Sequence, residues 1–177
     1  ITLRSQNCRA VGLTAMYPAS PLFNPEAMGG WPRDSVREVD IVTGCFLLIP
    51  RDLWNTLGGF NLAYFMYGEE ADLCLRAKAM GYRPMITPDA QILPLVGAAA
   101  GGSARRTTMI LKARTSLMQD HWPRWKVPFG KALVYLGMAL RAAVHGSRTK
   151  KDDASEDEAA RPFAYVWKRR ADWMSGY

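Results

Sequence analysis

Val39–Arg83 reads VDIVTGCFLLIPRDLWNTLGGFNLAYFMYGEEADLCLRAKAMGYR, and the fold turns on how this stretch divides. From Val39 to Ile49 it is rich in β-branched and aromatic residues, with no charge after Asp40, which is the composition of a buried strand. Pro50 suits the first position of a helix, and RDLWNTL ahead of Gly58-Gly59 reads as a short helix with a glycine stop. Phe60–Gly68 is an aromatic loop. Glu69–Met80 has the marks of a helix: acids in its first turn complement the positive end of the dipole, and Asp72 and Arg76 stand at i and i+4. Leu73, Ala77 and Met80 share one face, and Gly81 ends the element.

Upstream, Pro18, Pro21, Pro25, Gly29, Gly30 and Pro32 break residues 1–38 too often for long elements, with a short strand expected at Cys8–Leu13. Downstream, Tyr82–Leu93, interrupted by Pro84 and Pro88, reads as an edge strand, and GAAAGGS (97–103) as a small-residue loop. Ala104–Gln119 is a basic amphipathic helix. Phe129–Val144 is more apolar, but at roughly 16 residues and with Lys131 and Arg141 inside it, it suits a headgroup interface better than a membrane span. Residues 147–162 form a polar linker, and Phe163–Met174 a last helix with Tyr165, Trp167 and Trp173 beside Lys168, Arg169 and Arg170. There is no internal repeat.

The 177 residues, 49% apolar and 22% charged, are enough for one domain with a real core. Cys8, Cys45 and Cys74 are widely spaced and odd in number, so free thiols are expected rather than a disulfide framework or zinc site. Ile1 is followed by nothing resembling a secretory leader, and the expectation is a chain that starts inside a longer protein or has been processed. The net charge of +7 is concentrated: Ser103–Lys150 holds ten Lys/Arg and one acid, Asp120, a local +9. Such a segment attracts polyanions, whether nucleic acid, anionic lipid or a phosphorylated substrate.

The chemistry centres on Glu69-Glu70, a carboxylate pair opening a helix after a glycine-rich aromatic loop. Such a loop can stack on a sugar face, and an ionised carboxylate at a positive helix terminus can hold and polarise a hydroxyl. Acids also favour helix N-termini for their own sake, and an Asp72–Arg76 ion pair needs no ligand. His121, ahead of Trp122-Pro123, and His145 read as helix-end residues, and the terminal Trp and Tyr residues as packing or interface anchors.

The order Gly58-Gly59-Phe60, Phe65-Met66-Tyr67-Gly68, Glu69-Glu70-Ala71-Asp72-Leu73, Arg76 and Gly81-Tyr82 resembles the second half of the catalytic domain of family 2 glycosyltransferases, particularly bacterial rhamnosyltransferase-like and exopolysaccharide enzymes. The likeness extends more loosely through HWPRW (121–125) to WKRRADWMSGY (167–177). It implies an α/β, partial glycosyltransferase A-type (Rossmann-like) fold with a C-terminal helical tail. The implied division is 1–102 as the acceptor-side half, 103–146 as basic and apolar helices at a membrane, 147–162 as linker and 163–177 as a terminal aromatic and basic helix.

By resemblance the enzyme is inverting, with a nucleotide-sugar donor and a hydroxyl acceptor on a cell-surface glycan or lipid-linked intermediate. It is expected in the cytoplasm, peripheral at the inner face of the cell membrane. The general base maps to Glu70, where the family has Asp. Gly58, Gly59, Phe60, Tyr67, Glu69, Asp72 and Arg76 map to the substrate-binding pattern. A divalent cation, Mg or Mn, is implied, but its ligands are not found in this chain: Pro94 stands at the family's His position, Ala99 where Ser is common, and no Asp-x-Asp follows a strand. Asp152-Asp153 and Glu156-Asp157-Glu158 read as solvated linker charge, and no glycine-rich phosphate loop is present. The chain alone is therefore not expected to catalyse transfer. The Asp-to-Glu and His-to-Pro departures leave a catalytically inactive binding module as the alternative. Nucleic-acid binding ranks last, since no recognition motif accompanies the basic stretch.

Overall fold

The computed structural model describes residues 2–26, 28, 30–92, 104–148 and 162–177, with the side chains of 145–148 outside that description. The chain divides into two compact units, residues 1–30 with 102–177, and residues 31–101. The first thirty residues group with the C-terminal helices rather than with residues 31–101.

The helical unit begins with α1 (Leu3–Ala10) and α2 (Leu13–Met16). Cys8–Leu13 is therefore not a strand. Thr2 and Ser5 cap α1 reciprocally, Ser5 N–H donating to Thr2 Oγ1 at 3.2 Å and Thr2 N–H to Ser5 Oγ at 2.9 Å. With Ser in place of the usual Glu or Gln, this start signal is easily passed over. Among the described residues the unit has four further helices: α5 (Ala104–His121), α6 (Val127–Arg148), α7 (Pro162–Lys168) and α8 (Arg170–Ser175).

The core of this unit joins Met118 of α5, Val134 and Met138 of α6, Val166 of α7 and Trp173 of α8. Trp173 is fully buried and its indole N–H donates to Val166 O at 2.9 Å. Docking that ring divides the terminal helix, expected to be continuous, at Arg169; Asp172 N–H reaches back only three residues, to Arg169 O at 3.0 Å. Two glycines of α6 allow close approach: a Cβ on Gly130 would lie 2.6 Å from Met118 Sδ, and one on Gly137 2.8 Å from Ala10 Cα. At 22 residues α6 outruns the expected Phe129–Val144 by Val127 and Pro128 at its start and by four residues at its end. Its window Val127–Val144 is long and apolar enough to cross a membrane by length and composition, with mean hydropathy 1.3.

The second unit holds β1 (Arg37–Glu38), α3 (Arg51–Leu57), α4 (Glu69–Ala79) and β2 (Met85–Ile86). The two strands pair antiparallel, Arg37 opposite Ile86 and Glu38 opposite Met85, and Val39 N–H extends the ladder to Pro84 O at 2.9 Å. This is the one ladder among the described residues. Val39–Ile49 is not a strand: Val39 and Val42 are buried, but Phe46 and Leu48 are exposed and the backbone is irregular. A strand buried on both faces needs hydrogen-bonded neighbours along its length, and beyond Val39 no described residue continues the ladder. The two short helices are as expected. Pro50 stands just before α3 rather than at its first helical position and makes no side-chain cap, Gly58 ends the helix in the left-handed conformation at φ +72°, and Gly81 at φ +91° follows α4. Pro94, Ala99, the 97–103 loop and most of the 147–162 linker lie outside the described residues.

Candidate functional site

The residues singled out from the sequence gather at the junction of α3, the 58–68 loop and the first turn of α4. Arg76 organises this junction. Its Nε donates to Asp72 Oδ2 at 2.8 Å, Nη1 to Leu57 O at 2.6 Å and Nη2 to Gly59 O at 2.8 Å. The last two are carbonyls at the end of α3, so one side chain of α4 closes the C-terminus of its neighbour. Asp72 is only 2% exposed. This pair therefore holds the loop, and its donors are directed at protein atoms.

Gly58 and Gly59 both take left-handed φ, +72° and +73°. At Gly59 a Cβ would stand 2.9 Å from the Trp54 ring, so the position excludes any side chain twice over. Trp54 also meets Phe60 edge to face, with ring centroids 5.1 Å apart. Beyond Phe60 the loop turns outward, with Leu62 and Phe65 strongly exposed while Tyr64 is buried. Tyr67 is left-handed at φ +64°, an uncommon conformation for a non-glycine residue, and Gly68 follows at +99°. Two left-handed residues in succession turn the chain directly into α4.

Glu69 and Glu70 occupy that first turn. Each is half-buried, and Oε2 of each is shielded from solvent with no hydrogen-bond partner. The Glu70 side chain lies along Gly44, where an added Cβ would be 3.6 Å from its Cβ and 3.8 Å from its carboxyl carbon. Cys74, one turn on, is buried, and its thiol is pushed up by burial; hydrogen bonding from the Val42 backbone opposes this and the Glu70 charge adds to it. Gly44 and Cys74 border the carboxylate without a local signal in the sequence: Val42–Gly44 has the composition of a strand, and nothing links it to residue 70. Phe60 and Tyr67 thus belong to the loop that Asp72 and Arg76 clamp, and Glu69 and Glu70 follow it directly in the first turn of α4.

Over 165 residues the chain is 27% identical to the N-acetylglucosaminyl-diphospho-decaprenol L-rhamnosyltransferase of Mycobacterium tuberculosis, covering 77% of this chain and 54% of that protein. Over 139 residues it is 24% identical to the O-antigen biosynthesis protein RfbC of Myxococcus xanthus, covering 78% of this chain and 10% of RfbC. The chain is glycosyltransferase-like. A shorter stretch of 61 residues is 39% identical to the uncharacterized protein Rv1525 of M. tuberculosis, covering 33% of this chain and 23% of that one. No family model matches the chain, and no solved structure matches it significantly.

A divalent cation fits this glycosyltransferase-like junction poorly as it stands. Glu69 and Glu70 offer oxygen ligands, but no group of three His, Cys, Asp or Glu side chains able to hold a metal occurs among the described residues. No chemical step here is assigned to a metal.

Proposed function

We propose that this chain is the acceptor-side part of an inverting family 2 glycosyltransferase with Glu70 as the general base. The carrying observation is the pair of sheltered, unpartnered carboxylate oxygens on Glu69 and Glu70, directly after a loop that exposes Phe65. A buried acceptor atom without a donor is costly, and a sugar hydroxyl supplies one. Glu70 takes the proton from the acceptor hydroxyl as its oxygen attacks the anomeric carbon. The carbon–oxygen bond to the nucleotide diphosphate breaks, the diphosphate leaves with the electron pair, and the configuration inverts. Glu69 orients the acceptor, and Phe60 and Tyr67 give the sugar a face to stack on. In this reading a partial glycosyltransferase A-type sheet, the donor site and any Mg or Mn ligands are completed by sequence outside this chain. Glu70→Gln in the complete protein should lower kcat by about a hundredfold or more while donor hydrolysis and folding persist; Glu70→Asp should retain part of the rate. Full activity in the Gln variant would remove Glu70 as base and favour a binding module.

We further propose that α6 holds the protein against the cytoplasmic face of an anionic membrane. Trp125, Phe129, Leu136, Leu140 and Val144 form an exposed apolar stripe, while Val134 and Met138 on the opposite side are committed to the core. A helix with one face in a protein core and the other bare suits lying in the interface. Arg124 and Lys126 at its start supply the attraction to anionic headgroups. Leu136→Glu with Leu140→Glu should abolish sedimentation with phosphatidylglycerol vesicles; unchanged sedimentation would refute this placement.

A further inference from the structure

A second group of polar side chains lies in the helical unit. Gln6 and Arg9 of α1, Glu26, Arg114 of α5 and Arg141 of α6 converge from four separate segments. Arg114 Nη1 donates to Gln6 Oε1 at 3.2 Å and Nη2 to Glu26 Oε2 at 3.4 Å. Arg9 Nη2 donates to the same carboxylate oxygen at 3.1 Å, and Ser5 Oγ to Glu26 Oε1. Arg141 is anchored on backbone, Nη1 on Gly137 O at 2.8 Å and Nη2 on Arg9 O.

Two things are left over. The first is charge: two guanidiniums, Arg9 and Arg114, share the Glu26 carboxylate, and a third, Arg141, bonds only backbone carbonyls of the same cluster. Burial lowers the affinity of Arg114 and Arg141 for their protons, and Arg9 adds repulsion to both; Glu26 offsets this at Arg114. The second is hydrogen bonding. Gln6 is 2% exposed, and with Oε1 taken by Arg114 its Nε2 is a buried donor lacking any acceptor. Arg9 Nε is likewise shielded and without an acceptor. Orphaned donors beside surplus positive charge are the converse of the Glu69–Glu70 junction: the missing partner is an anionic acceptor. A water molecule would satisfy the donors but leave the charge.

We propose that Gln6 Nε2 and Arg9 Nε, backed by Arg114 and Arg141, form a binding site for a phosphate-type oxyanion. Arg9, whose side chain is 41% exposed, is the opening to solvent. A tetrahedral oxyanion has several acceptor oxygens, so it can take both donors and still face a guanidinium, which chloride does less well. This site is independent of the transferase reading and would survive its failure.

The test is calorimetric titration of the 177-residue chain with inorganic phosphate, and separately with a short-chain phosphatidate, at constant ionic strength. Saturable binding of phosphate is expected, and tighter binding of the phosphatidate would assign the natural source to a lipid headgroup. Arg9→Gln and Gln6→Leu, each checked for wild-type helicity, should weaken binding by about tenfold or more, the worth of one charge-assisted hydrogen bond. Glu26→Gln should strengthen it, the opposite of what loss of a purely structural ion pair would do. Heats that match a chloride titration, or that persist unchanged in Arg9→Gln, would overturn the proposal.

Discussion

The two units solve the same problem differently. The helical unit closes its core with large apolar side chains, Trp173 and Met118 at its centre. The 31–101 unit has few such residues and leaves Phe46, Leu48, Leu62 and Phe65 bare; an arginine on backbone carbonyls does much of the tying. The contrast lies in the tie: apolar burial around Trp173 holds the first, whereas a buried carboxylate and a guanidinium on backbone carbonyls hold the loop of the second. Glu69 and Glu70 lie where the structure is least self-contained.

This contrast can be broken by perturbing one unit and reading both, since Cys8 and Cys74 are buried thiols in different units. The largest effect is expected from Trp173→Ala, which should cost about 4 kcal/mol through the cavity and the lost indole hydrogen bond. Thiol labelling should then accelerate at Cys8 and remain slow at Cys74. Arg76→Ala should cost on the order of 3 kcal/mol by taking the guanidinium from buried Asp72 and uncapping α3, and should accelerate labelling at Cys74 alone. If both variants release both thiols together, the units unfold as one and the division fails.

The smallest effect sharpens the comparison through pH. Burial by itself pushes the Glu26 carboxyl up, but Arg114, Ser5 and Arg9 outweigh it, and the net position is below the usual 4.5. A carboxyl whose folded value is depressed contributes stability above its unfolded value and loses it as pH falls through the folded one. Acid should therefore loosen the helical unit, read at Cys8 by an acid-tolerant disulfide reagent. Glu26→Gln should flatten that dependence; an unchanged profile would show that other carboxyls govern it.

Much of the site was legible because its signals are local. Pro50, Gly58-Gly59 and Gly81 punctuate the chain, and acids at 69 and 70 announce a helix start. What escaped depends on distant partners. Val39–Ile49 has a strand's composition, yet pairing is a property of neighbours. Arg114 counted toward a basic surface, but in α5 it stands between the buried Ala113 and Thr115 and turns inward. Periodicity says which residues share a face and cannot say that Gln6 and Glu26 wait for a cation there. The break at Arg169 follows from docking Trp173, which no window of sequence reveals.

Gly137 has a consequence for how this protein can change over generations. Because its missing side chain lets the backbones of α6 and α1 touch at Ala10, even a methyl group would push α1 away. Gln6 and Arg9 ride on that helix. A single codon in α6 therefore governs whether a polar cluster built mostly from other segments keeps its geometry.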